Sequence, residues 1–291
     1  MSGRIVVVGD VVTDVVAVLS GPLAAGSDTA ARIRVSGGGQ AANTAAWLAW
    51  SGSPVTLVAA SGADEAGAAL VAELTAAGVR CAVTNHPDVP TGSIVVLALG
   101  EERTMVTDRG ANLTLAAEDV DAALAAAPDA QHLHLSGYTL LDAGSRGAGL
   151  RALAAAREHG LTSSVDAASE APLRQVGAAA FADWVRGTDL LVASAEEAAV
   201  LAEAGPLTDL VSAAVIVKRG AAGASWYPLD GPPLEAATVP IDAVDPTGAG
   251  DAFAAGLLRT WLDGAIPEEA LREGARLGAL AVGRVGARPP H

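Results

Sequence analysis

The chain has 291 residues, 51% of them hydrophobic, 18% charged and 3% aromatic, a composition too apolar for disorder and long enough to bury a substantial core. Eighteen Lys and Arg against 33 Asp and Glu give a formal charge of −15, which leaves no broad basic surface for nonspecific nucleic-acid or anionic-membrane binding and points to a small-molecule partner. The single cysteine, Cys81, excludes an internal disulfide and a thiolate metal cluster, and fits a reducing, cytoplasmic setting.

In chain order, Ile5 to Val8 reads as a first strand; Asp10 and Asp14 interrupt the apolar stretch, so it does not read as a secretory signal. Val11 to Val18 and Ala30 to Val35 are strand-like pieces joined by turns. The uncharged stretch Val35 to Ala63 contains Gln40, Asn43 and the Ser51-Gly52-Ser53-Pro54 break, and predicts a helix followed by a strand rather than a membrane span. Val55 to Ala59 is that strand. Ser93 to Leu99 and Thr104 to Thr107 form a second strand-like pair, and Thr114 with Glu118 and Asp119 suits a helix start. Leu133 to Leu135, Thr162 to Val165, Leu190 to Val192 and Val215 to Val217 are further β-branched or Leu-rich runs separated by helical segments. Gly160 stops a helix after His159, and Pro267 with Glu268 and Glu269 begins one.

This alternation is that of a parallel α/β sheet. The residues near 11–35 and 90–110 depart from it and predict a small appended sheet, within a single domain spanning 1–291, that could keep water from a reaction at the mouth of the large one. His132 and His134 share a strand face but lack partners at metal-ligand spacing, and read as structural histidines.

The sharpest motif is Asp245-Pro246-Thr247-Gly248-Ala249-Gly250-Asp251-Ala252-Phe253. A Pro/Gly turn enters a small-residue helix, whose unpaired N–H groups and positive dipole end suit a bound anion. A carboxylate at that place repels phosphate, so Asp251 suits a different role, that of taking a proton from a hydroxyl that attacks the phosphate. The helix terminus is expected to lower the Asp251 pKa, which a loose phosphoryl-transfer transition state tolerates.

This motif resembles the C-terminal signature of the ribokinase-like, PfkB-type family of carbohydrate and nucleoside kinases. Ser36-Gly37-Gly38-Gly39-Gln40-Ala41-Ala42-Asn43 resembles its N-terminal glycine signature, in which Gly38 and Gly39 lie against the sugar and Asn43 bonds a hydroxyl. Asp14 falls where the family grips acceptor hydroxyls, and Gly110-Ala111-Asn112 resembles the segment that returns from the lid. The resemblance runs from about Ile5 to Ala287. It implies a Rossmann-like, three-layer α/β domain with a small β lid, Asp251 as base, and an anion hole at Gly248, Ala249 and Gly250.

On the nucleotide side the family carries Asn-x-x-Glu; here Ser194-Ala195-Glu196-Glu197 keeps Glu197, implied to organise Mg²⁺ through water, and replaces Asn by Ser194. Lys218-Arg219-Gly220-Ala221-Ala222-Gly223 resembles the turn near the ATP phosphates and ribose, so Lys218, Gly220 and Gly223 are implied nucleotide contacts. Asp245 with Gly286-Ala287 resembles a monovalent-cation loop whose usual following hydroxyl is absent, so activation by K⁺ stays open.

No G-x-x-x-x-G-K-[ST] is present, no His-Arg-Asp or Asp-Phe-Gly accompanies Lys218, and Gly248-Ala249-Gly250 runs into Phe253 far from the first strand; P-loop, protein-kinase and dinucleotide readings fall away. The expectation is ATP- and Mg²⁺-dependent phosphorylation of a hydroxyl of a small sugar. A nucleoside, an acidic sugar of the 2-keto-3-deoxygluconate type held by Arg103 and Arg109, and an idle binding regulator are the alternatives, with a neutral sugar placed before an acidic one. An exposed lid face leaves a homodimer open.

Overall fold

The computed structural model describes residues 3–99 and 102–290, without the side chains of 102 and 103. The chain opens with β1 (Arg4–Val8), departs for β2 (Val12–Leu19) and β3 (Ala31–Gly38), and returns through α1 (Gln40–Trp50), β4 (Val55–Gly62), α2 (Glu65–Ala76) and β5 (Arg80–His86). A second excursion forms β6 (Ser93–Leu99) and β7 (Glu102–Asp108). Then come α3 (Ala117–Ala125), β8 (Ala130–Ser136), α4 (Tyr138–Leu141), α5 (Arg146–Glu158) and β9 (Thr162–Asp166). The C-terminal part adds α6 (Glu170–Val176), α7 (Ala178–Val185), β10 (Thr188–Ser194), α8 (Ala195–Leu201), β11 (Val211–Lys218), β12 (Ala224–Pro228), β13 (Leu234–Ala236), α9 (Ala249–Leu262) and α10 (Pro267–Val282).

The large sheet runs β13-β12-β11-β10-β9-β8-β1-β4-β5, parallel from β11 to β5, with β12 and β13 antiparallel at one edge. Its central strands are apolar runs because both faces are covered. Val6 and Val8 pack with Val120, Leu124 and Leu153 from α3 and α5, whereas Ile5 and Val7 pack with Trp47 and Leu48 of α1 and Leu277 of α10. Each such side chain contributes about 1.5–3 kcal/mol on burial. Few rings are available, so helices approach through small residues: a Cβ on Gly256 of α9 would lie 2.8 Å from the Glu273 carbonyl of α10. His132 and His134 lie on the Ile5/Val7 side, fully buried, and share Ser164 Oγ at 2.8 and 2.7 Å, while His132 Nδ1 meets Thr162 Oγ1 at 2.8 Å. Burial pushes their pKa values down to about 3 and about 4, so they are neutral structural groups.

The expected small sheet is β3-β2-β6-β7, with β2 and β6 parallel and the outer pairs antiparallel. It joins the large sheet where Asn112 grips the Val11 backbone, accepting from its N–H (2.9 Å) and donating to its carbonyl (3.0 Å). The six sequence-predicted strands of the large sheet are all present. Strands β5, β12 and β13, at the edges, escape the apolar-run criterion because they mix polar residues into short segments. Helix α3 begins later than Thr114: the Thr114 hydroxyl turns back to the Ala111 carbonyl (2.6 Å), and Asp119 instead accepts the Ala116 N–H (2.9 Å). Residues 35–63 form β3's end, α1 and β4, and among the described residues no helix is long and apolar enough to cross a membrane.

Candidate active site

Parallel strands deliver their C-terminal ends to one edge, and β1, β8, β9, β10 and β11 close there on polar residues: Asp10 just past β1, Ser136 on β8, Asp166 on β9, Ser194 on β10 and Lys218 on β11. Most of them are hydrogen-bonded into a floor. Lys218 Nζ donates to Asp166 Oδ2 (2.7 Å), and Gln40 Nε2 to Asp166 Oδ1 (3.0 Å). Ser136 Oγ lies 2.6 Å from Gln40 Oε1 and 3.2 Å from Asp10 Oδ1, and Arg109 Nη1 donates to Asp10 Oδ2 (3.3 Å). Ala168, the one non-glycine residue with left-handed φ (75°) among the described residues, donates its N–H to Asp166 Oδ1 (3.1 Å).

Above this floor the first turn of α9 meets the first turn of α1. Gly248 caps α9 in the left-handed region (φ 76°), and a Cβ there would lie 2.6 Å from Ala287 Cα, so no other residue fits. Asp245 fixes the turn by accepting from the N–H groups of Thr247 (2.9 Å) and Gly286 (3.1 Å). Ala249 N–H donates back to Pro246 (3.2 Å). Asp251 Oδ2 then accepts from Asn43 Nδ2 at 2.8 Å, while Asn43 Oδ1 is buried with no hydrogen-bond partner among the described residues. Burial pushes the Asp251 pKa up to about 7; the Asn43 bond and Lys218 oppose this, and Asp166 and Asp10 reinforce it. The net direction is thus opposite to the lowering expected from the helix terminus, with loss of solvation the largest cause.

Asp14, Gly38 and Gly39 lie on the small-sheet side. Asp14 pairs in register with Ser36 on β3 and is buried, and a Cβ on Gly38 would overlap its carboxylate. Burial and Asp10 push the Asp14 pKa up to about 6, with Arg288 pulling it down and Asp245 adding to the rise. Gly39 (φ 97°) turns the chain into α1 over the Asp10 carbonyl.

On the other side a cleft of about 590 Å³ is lined by Asp166, Ser194, Glu197, Lys218, Gly220 and Asp251 among others. Ser194 caps α8: its Oγ accepts the Glu197 N–H (3.1 Å) and Glu197 Oε2 accepts the Ser194 N–H (2.8 Å). That shared cap explains how Ser serves where Asn is usual. Burial raises the Glu197 pKa, against the nearby Lys218. Gly223 is outside the cleft lining, at the foot of β12, where a Cβ would overlap the Ala236 carbonyl.

Arg109 differs from its expected place on a β7 face. It stands beyond the strand, stacks 4.7 Å over the Tyr138 ring, and is bonded to Asp142 (2.8 Å) as well as Asp10, so its charge is already matched by two carboxylates. The Arg103 side chain lies outside the described residues. Sequence reading passed over Asp10, Gln40, Ser136, Asp166 and Arg288; for Asp10, Ser136 and Asp166 the available signal was a polar residue closing an apolar strand, and Gln40 and Arg288 carried no such mark.

The fold and this site define a two-sided phosphotransferase, and comparison with known proteins agrees. The profile of the pfkB family carbohydrate kinases matches residues 2–291. An ATP-dependent ribose-1-phosphate kinase from Halopiger xanaduensis is 32% identical over 263 residues, 88% of this chain and 83% of that protein. Adenosine kinase from Sinorhizobium meliloti superposes with a TM-score of 0.88 at 21% identity, covering 99% and 96% of the two chains. A structure described as Ribokinase II from E. coli with ATP and Mg²⁺ gives 0.85 at 25%, covering 99% and 94%. The chain belongs to the pfkB family of carbohydrate kinases. It is an ATP-dependent kinase that phosphorylates an alcohol group of a small sugar.

Proposed function

We propose that Asp251 is the base that takes the proton of the attacking sugar hydroxyl, with Asp14, Gly38, Gly39 and Asn43 holding the acceptor. The observation that supports this is the 2.8 Å bond between Asn43 and Asp251, together with the buried Asn43 carbonyl oxygen, which has no partner among the described residues and would suit a sugar hydroxyl. With a pKa near the working pH, Asp251 is ionised enough to act and basic enough to hold the proton it receives. Gly248, Ala249 and Gly250 shape the helix start that receives the transferring phosphoryl group, and Lys218 adds a cation beside it. Ser194, Lys218 and Gly220, which line the cleft, are assigned to ATP, and Gly223 only shapes the turn behind them.

Among the described residues no three acidic or histidine side chains converge as a metal cage, which suits Mg²⁺ held mainly by nucleotide phosphates and water. Glu197, with one oxygen in the α8 cap, has a second for a metal-bound water. Mg²⁺ neutralises charge developing on the phosphates. Asp245, bonded to the two backbone segments that would form a cation loop, is the residue to associate with K⁺.

A finer reading concerns the acceptor. On the face of the small sheet that bears Asp14, Arg34 pairs with Val16 and Arg32 with Val18, and neither arginine has a hydrogen bond or ion pair among the described residues. Unmatched cations beside an acceptor site, in a chain of net charge −15, favour an acceptor that already carries a phosphate. The substrate named for the Halopiger xanaduensis relative, ribose 1-phosphate, is of that class. This reading places a phosphorylated sugar, a class not among the sequence-based alternatives, ahead of the neutral sugar expected from the sequence. The small sheet, about residues 11–35 and 90–110, acts as the lid, and its opposite face, with Ile33, Val35, Val95 and Val106 exposed, is suited to a second copy. The cytoplasm is the setting in which ATP and such an acceptor meet.

The test is ADP formation with ATP and Mg²⁺ across neutral sugars, pentose phosphates and nucleosides, with and without K⁺, and with Asp251→Asn as control. Saturable turnover on a pentose phosphate is expected. Tight sugar binding without turnover would instead identify an idle binding protein, and preference for a neutral sugar would remove the phosphate reading alone.

A further inference from the structure

Beyond α10 the chain runs behind the acceptor turn. Trp47 Nε1 donates to the Ala287 carbonyl (2.9 Å), Gly286 N–H to Asp245, and Ala287 fills the space that a side chain at Gly248 would need. Arg288 ends this strap. Its Nη1 donates to the Ala42 carbonyl (3.0 Å) and its Nη2 to the Gly38 carbonyl (3.4 Å), while Nε is buried without a hydrogen bond among the described residues, 3.8 Å from Glu73 Oε1. The side chain is only 13% exposed, so this is not a solvated surface charge. Burial lowers its pKa, and Glu73, Asp14 and Asp251 support its charge.

Both carbonyls belong to the acceptor turn. Gly38 packs on the Asp14 carboxylate, and Ala42 precedes Asn43, whose side chain holds Asp251. The Gly38–Gly39 peptide is planar and trans, so directing its carbonyl to Arg288 turns the Gly39 N–H away from the guanidinium. The guanidinium serves the two carbonyls from separate nitrogens held in one plane and so fixes their relative direction, whereas an ammonium would have to reach both from a single, freely rotating nitrogen.

We propose that Arg288 is a positioning residue for the sugar acceptor: its fork fixes the Gly38–Gly39 peptide and the start of α1, and so sets Asp14 and Asn43 in register for the hydroxyls. The inference rests on the kinase reading of the site. The competing role, a staple that merely holds down the end of the chain, affects stability and leaves the kinetic constants alone.

Steady-state kinetics of Arg288→Gln and Arg288→Lys, each with its melting temperature, separate the two. Arg288→Gln is expected to raise acceptor KM by about tenfold or more while ATP KM and acceptor-independent ATP hydrolysis stay within about twofold. Arg288→Lys is expected to fall between Gln and the wild type, and it carries the test if the Gln variant does not fold. An acceptor KM within about twofold of wild type in the folded variants, or an equal rise in ATP KM, would overturn the proposal. A second readout is independent of turnover: amide hydrogen exchange over residues 36–44 is expected to speed up in both variants, and unchanged exchange counts against Arg288. A wild-type protein inactive on every sugar would defeat the kinase reading, with the exchange arm still deciding what Arg288 does.

Discussion

Lys218 and Asp166 form an ion pair at 2.7 Å in which the carboxylate is the more deeply sealed partner, its side chain 2% exposed against 17% for the lysine. The pair therefore hides its negative end and presents its positive end to the cleft. A Cβ on Gly250 would sit 3.2 Å from Nζ, so the ammonium reaches the first turn of α9 because residue 250 lacks a side chain. Cation and helix N-terminus converge on one point, and in the proposed reading of the site these two positive fields would receive the phosphoryl group.

Removing the lysine exposes the cost of that arrangement. Lys218→Met leaves Asp166 buried without its counter-charge, and a loss of about 3–5 kcal/mol in unfolding free energy is expected from urea titration. Adding Asp166→Asn should recover much of it. A single variant as stable as the wild type would show that the pair is solvated in solution.

Asp251→Asn is expected to cut kcat by about a hundredfold or more while calorimetric binding of ATP and acceptor persists. The same substitution has a stability signature. The folded-state pKa of Asp251, about 7, lies above the ordinary 3.8, so the wild type loses stability as pH rises from about 4 to 7 and keeps the deficit above it. The Asn variant should therefore melt higher than the wild type at pH 8, by about 2–4 °C for each kcal/mol relieved, with the difference vanishing near pH 4. Equal melting points at pH 8 would mean that the carboxylate is not desolvated.

The Asn43 bond lowers the Asp251 pKa, so Asn43→Leu should move the acid limb of the kcat/KM profile upward by about one pH unit. The wild-type limb is expected near pH 7. A limb that stays in place in the variant would separate Asn43 from the ionisation of the base.

Asp14→Ala should raise acceptor KM by about ten- to hundredfold with little change in ATP KM, the scale of hydrogen bonds to a charged group. In the wild type, protonation of Asp14 as pH falls through about 6 removes an acceptor for sugar hydroxyls, so acceptor KM should climb on the acid side. A parallel rise in ATP KM would place Asp14 with the nucleotide.

The parts of the site legible in the sequence are those written in consecutive residues. Residues 245–251 and 36–43 carry glycines, a proline and an acid or amide in a few positions, because a tight turn into a helix start demands them locally. The floor is of another kind. Asp10, Ser136 and Asp166 come from three strands, and Arg288 lies 250 residues from the Gly38 carbonyl it binds. A polar residue closing an apolar strand marks Asp10, Ser136 and Asp166 one at a time, but only the order of strands brings them together. Arg109 shows the converse error: alternation within β7 says nothing about a residue beyond its end, where two carboxylates and a ring decide its direction.

Four chain crossings connect the two sheets, and all are fastened. Those near residues 11, 91 and 110 are stitched to one another: Asn112 to Val11, Ala111 N–H to the Pro90 carbonyl, Thr13 N–H to that of Gly92, Arg109 to Asp10. The fourth, through Gly38 and Gly39, is tied to the same place, because Ala41 and Ala42 donate their N–H groups to Asp10, and Arg288 holds the Gly38 carbonyl from the other side. Asp10 is thus a keystone on which the crossings meet, and it couples the seating of the small sheet to the start of α1. A residue with a side chain at 39, where φ is 97°, would strain that joint before it touched any ligand.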